Sequence, residues 1–165
     1  MLDPQTAAVA LIMRELDTNM GRFRGRMKLQ KYVYLLEEMG AGLGFHFSWY
    51  IRGPYCPPLA DIGFQIEQED QDEVSTWTLH PNLEAMVIKL RSEVFSHPDG
   101  LRREDWAEVL ASLSYLAALP TARGLSRTEV ERELLRRKPH LDPFVGTFSN
   151  AWQALARLGL SIPAK

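Results

Sequence analysis

The chain has 165 residues, 45% hydrophobic and 24% charged, enough for one compact domain with a core of its own. A formal net charge of -2 and a pI near 6.1 exclude a general attraction to nucleic acid, so any such contact needs a local basic patch. The single cysteine, Cys56, excludes an internal disulfide and a cysteine-based metal cluster.

No long apolar run suggests a membrane span, and the start lacks the basic and apolar regions of a secretion signal. The expectation is a cytoplasmic protein without membrane association. Asp3-Pro4 predicts a helix start, with Asp as cap and Pro in the first turn. Val9, Ile12, Met13 and Leu16 give that helix one apolar face as far as about residue 19. Gly21 to Arg26 reads as a loop, followed by a helix with Leu29, Tyr32, Val33, Leu36 and Met39 inward, ended by Gly40. Phe45 to Ile51 alternates as a strand, Gly53-Pro54 breaks it, and Pro57-Pro58 opens a short helix with Leu59, Ile62, Gly63 and Ile66 inward. Val74 to Leu79 reads as the returning strand, after a solvated acidic run from Glu67 to Glu73.

The remainder is helical. Asn82 is expected to cap one helix, Trp106 to Ala117 forms another, and Ser126-Arg127-Thr128-Glu129 is a capping box with Leu125 and Val130 as its staple. A last helix carries Phe148, Ala151, Trp152 and Leu155 and stops at Gly159. The predicted fold is mainly helical α+β, with a winged-helix-like N-terminal part bearing a small antiparallel β element and a helical C-terminal part. Residues 1–165 are read as a single domain; any subdivision falls at Ser96 to Gly100, into 1–97 and 101–165.

Arg22, Arg24, Arg26, Lys28 and Lys31 form a basic segment without an acid, able to grip phosphates or the carboxylates of a protein. In the winged-helix arrangement Lys28, Lys31 and Tyr34 lie on the outer face of their helix. The simpler alternative is a solvated charged loop. Tyr55, in the stiff Gly53 to Pro58 segment, is a candidate aromatic anchor for a partner, or merely part of a turn. Arg136, Arg137 and Lys138 exceed what a helix C-terminus requires and offer a second basic edge. Cys56 lacks any nucleophile signature, and His46, His80, His97 and His140 lack metal-ligand spacing. Neither common nucleotide-binding glycine pattern is present, so no catalytic residue, cofactor or metal is assigned.

Met27-Lys28-Leu29-Gln30-Lys31-Tyr32 opening an aromatic-rich helix, then Phe47-Ser48-Trp49-Tyr50 and Gly53-Pro54-Tyr55, resembles the SocA-like antitoxin (Panacea) domain and the related YwgA-like proteins of bacteria and phages. The resemblance covers roughly the first seventy residues; farther on it extends only to helical pattern, Lys138-Pro139 and Leu158-Gly159-Leu160. Cys56 departs from it, because relatives often carry a small hydroxyl residue there. The resemblance implies a non-enzymatic regulatory or adaptor protein that binds a partner protein, such as a toxin or the product of a neighbouring gene. A winged-helix regulator binding DNA through segment 22–31 is the alternative, and a cysteine-dependent enzyme ranks last.

Overall fold

A computed structural model describes residues 1–160 and 162–164. Helix α1 (Pro4–Glu15) starts as its sequence dictates, with Asp3 Oδ1 accepting from the Thr6 amide at 3.0 Å. It stops earlier than predicted, and Asp17 turns the chain at φ 51°. Helix α2 (Phe23–Glu38) begins inside the expected loop. Gly25 permits this, since a Cβ there would lie 1.9 Å from the Asn19 carbonyl oxygen. Arg24 and Arg26 therefore stand on helical turns. At the other end, Glu37 accepts from the amides of Leu43 and Phe45 (2.7 and 2.8 Å), fastening the glycine-rich exit.

The β element departs most from the sequence reading. Strand β1 is only Ser48–Tyr50, and its partner β2 is Gly53–Tyr55, the segment read as a break. They pair antiparallel with Ser48 opposite Tyr55, Trp49 opposite Pro54 and Tyr50 opposite Gly53. Ile51 and Arg52 keep negative φ while Gly53 takes φ 96°, as when a left-handed glycine ends a type I turn in a tight hairpin. Proline is tolerated because a two-stranded ribbon has only edge strands.

Helix α3 (Pro57–Ile66) buries Leu59, Gly63 and Ile66 as expected. The predicted strand 74–79 does not form. Its place holds a short helix α4 (Gln71–Val74), capped by Asp70, then an unpaired run that packs Trp77 and Leu79 inward. With the hairpin before α3 and no returning strand after it, the element order differs from the winged-helix order predicted. In α5 (Pro81–Val94) the cap is the His80 side chain and not Asn82, whose amide donates to it.

Helix α6 (Arg103–Ala118) is the central element, buried on nearly every side, with Glu108, Ser112 and Ser114 among the enclosed residues. It packs on α2, β2, α7 (Arg127–Arg137) and α8 (Phe148–Arg157). Ser126 caps α7, and a 3₁₀ segment, Pro139–Thr147, leads into α8. A core cluster draws Ile12, Tyr32 and Leu36 from before residue 97 and Trp106, Leu110, Leu134 and Trp152 from after it. No described helix is long and apolar enough to cross a membrane.

Candidate functional site

The hairpin is held from beneath by polar side chains on α2, on α6 and at the end of α7. Gln30 makes a paired contact with Cys56, donating to its carbonyl at 3.0 Å and accepting from its amide at 2.8 Å. One turn position on, Lys31 Nζ donates to the Pro54 carbonyl at 2.8 Å. From the far side, Lys138 Nζ donates to the carbonyls of Tyr50, at 3.2 Å, and Ile51. Glu108 of α6 supplies the countercharge, with Oε2 3.6 Å from Lys138 Nζ and 2.8 Å from His140 Nε2. Trp49 closes this layer, its ring 5.4 Å from Tyr115 and 4.9 Å from Lys138 Nζ. Gly53 fits because a Cβ would lie 2.6 Å from Ser112 Oγ.

Burial removes water from both ammonium groups faster than Glu108 restores their charge. Desolvation pushes Lys31 down to about 7 and Lys138 down to about 8, with Glu108 opposing each shift. The lysines thus serve chiefly as donors to hairpin carbonyls.

The outer side of the same hairpin is apolar. A groove of about 300 Å³ runs between the first half of α2 (Phe23, Arg26, Met27), the hairpin (Tyr50, Ile51, Arg52, Tyr55) and α3 (Ala60, Phe64). Phe23, Tyr50, Ile51 and Phe64 are 54%, 48%, 85% and 48% exposed, four of the seven large hydrophobic side chains so exposed among the described residues. Their convergence on one groove is what marks it, because scattered surface hydrophobes are ordinary and clustered ones are not. Arg52 lies over the Phe23 ring at 5.8 Å, and Tyr50 packs on Tyr55 with ring centres 5.1 Å apart. The groove can seat an apolar side chain beside a cation.

The sequence-derived candidates separate accordingly. Arg26 and Tyr55 line the groove, and Arg22 is exposed at its α2 end. Arg24 instead reaches Glu104 of α6 at 3.4 Å, and Lys28 donates to the Asp17 carbonyl at 3.3 Å. Three placements need correction. Lys31 and Tyr34 belong to the interior and not to an outer face, because α2 is covered on one side by α6 and on another by the hairpin. Lys138 is buried under the hairpin and is not part of a basic edge, while Arg136 and Arg137 both fold onto Glu133, at 2.6 and 2.7 Å. Those two arginines hold the Glu133 carboxyl down to about 2. Cys56 is buried in the apolar cluster of α1 and α3.

Ile51, Arg52 and Phe64 went unnoticed as site residues. They share no motif, and Ile51-Arg52 becomes a loop tip only once Gly53-Pro54-Tyr55 is recognised as a strand. No protein-family model, curated protein or solved structure matches the chain.

Proposed function

We propose that this is a non-enzymatic, antitoxin-like regulatory or adaptor protein that acts by binding a partner protein through the groove between α2, the hairpin and α3. The observation that supports the reading most is the gathering of Phe23, Tyr50, Ile51 and Phe64, all exposed, around one groove on a hairpin anchored from below. Exposed apolar side chains on a braced turn lose little freedom on binding and gain the burial they lack in the free protein. The resemblance of Lys28-Leu29-Gln30-Lys31 and Gly53-Pro54-Tyr55 to the SocA-like domain points to the same class of role. The partner is proposed to be a toxin or another product of a neighbouring gene, in a bacterial or phage cytoplasm.

The test is co-expression of the tagged protein with the product of the adjacent gene, followed by size-exclusion chromatography. A stable complex that survives Arg136→Ala/Arg137→Ala but is lost in Ile51→Asp/Phe64→Asp is the expected result. Salt-dependent binding to duplex DNA, with no protein complex, would replace this reading by that of a DNA-binding regulator.

A further inference from the structure

We propose that the groove takes a short acidic segment of its partner, seating one bulky apolar side chain among Phe23, Tyr50, Ile51 and Phe64 while neighbouring carboxylates pair with Arg26 and Arg52. This rests on the groove being the partner site, and adds the chemistry of what enters it.

Size sets the first limit. At about 300 Å³ the groove lies at the low end of clefts that hold small ligands, roughly 300–1,000 Å³, so it suits a single side-chain anchor. Charge sets the second. The ionisable side chains on its lining other than the tyrosines are Arg26, Lys31 and Arg52, and no carboxylate is among them. Lys31 is committed beneath the hairpin to the Pro54 carbonyl, which leaves the two arginines at the rim. Arg26 uses one guanidinium nitrogen on the Met20 carbonyl at 3.0 Å, and among the described residues its side chain makes no other hydrogen bond. Arg52 is half exposed and lies 4.0 Å from Glu108, too far for a hydrogen bond.

Each rim cation can therefore accept a carboxylate from outside, and guanidinium groups do so with two parallel bonds. Because Arg52 also covers the Phe23 ring, the acid it selects must stand next to the apolar anchor in the ligand. Exposed Arg22, at the α2 end of the groove, adds to the same positive charge, which disfavours a basic segment. A second copy of this chain fits poorly through its acidic run Glu67 to Glu73, because the apolar residues that flank the run, Ile66 and Val74, are buried. Duplex DNA, which presents phosphates, would satisfy the arginines but leave Ile51 and Phe64 uncovered.

The inference is tested by selecting a displayed random-peptide library on the folded protein, with counter-selection on Ile51→Asp/Phe64→Asp. Enriched peptides are then made as fluorescein conjugates and titrated. The expected result is a consensus of Phe, Leu, Ile or Trp with Asp or Glu within two positions of it. Changing those acids to Asn and Gln should weaken binding about tenfold or more, and Arg52→Glu should do the same. Arg52→Glu should also bind a Lys-flanked version of the peptide better than wild type does, a gain that misfolding cannot produce. Groove-dependent peptides without acids, or affinity indifferent to the acid-to-amide change, would overturn the inference while leaving the groove as a partner site. Absence of any peptide that survives counter-selection would overturn both.

Discussion

Beneath the hairpin β1–β2 lie Gln30, Lys31, Glu108 and Lys138, all buried; above it lie Phe23, Tyr50, Ile51 and Phe64, all exposed. Polar groups occupy the interior and hydrophobic ones the surface, the reverse of the ordinary partition. The inner set answers a local demand, because a two-stranded ribbon leaves edge carbonyls that a dry core would strand. Among the described residues no comparable demand accounts for the outer set. Groups with an internal job read as structure, and groups without one read as contact surface.

The sharpest way to break this contrast is at its buried charge. Glu108→Ala should destabilise the protein by about 3–5 kcal/mol in urea unfolding, since it leaves Lys138 enclosed without a countercharge. Adding Lys138→Met should restore part of the loss, and strict additivity of the two changes would show that the pair is not coupled. A pH series probes the same layer. Lys31 and Lys138 titrate lower in the folded chain than the usual 10.5, so between about 7 and 10.5 the unfolded chain binds more protons and stability should rise with pH. Tyr32 and Tyr34 are pushed above their usual 10 by burial, so the folded chain keeps protons that the unfolded chain loses, and stability should fall again beyond pH 10. Lys31→Met should flatten the rising limb; a wild type whose stability falls from pH 7 to 9 would contradict the assignment. Smaller is Gln30→Ala, which strands the Cys56 amide while its carbonyl keeps the bonds from the Leu59 and Ala60 amides, and should cost about 1–3 kcal/mol by thermal unfolding. Smallest of all is Ile51→Asp, expected to shift stability by no more than about 0.5 kcal/mol because the side chain touches mainly solvent.

Apolar periodicity made the helices legible. Residues 29, 32, 33 and 36 on α2, and 148, 151, 152 and 155 on α8, are buried as their spacing predicts. The same signal misplaced Lys31 and Tyr34, because α2 has two covered faces and only one of them is apolar in sequence. Glu108 was hidden for a related reason: on a helix enclosed all round, one acid reads as a solvent face until its partner thirty residues on, Lys138, is seen beside it. The hairpin was missed because Gly53 and Pro54 signal a turn, and only tertiary anchoring by Lys31 and Gln30 makes a strand of them. Val74 to Leu79 shows the converse, a strand-like alternation that packs on helices without finding an edge to pair with. Of the groove lining, Arg26 and Tyr55 were among the candidates read from the sequence, whereas the groove joins segments some forty residues apart that no local pattern connects.

Hydrogen–deuterium exchange of the full protein, with and without its bound partner or the selected peptide, tests most directly whether the outer face of the hairpin is the contact surface. Slowed exchange at the first turn of α2, at Tyr50 to Tyr55 and at Ala60 to Phe64, with Arg132 to Lys138 unchanged, is the predicted result. Protection confined to Glu67 to Glu73 or to the end of α7, with the hairpin tip exchanging as in the free protein, would contradict it.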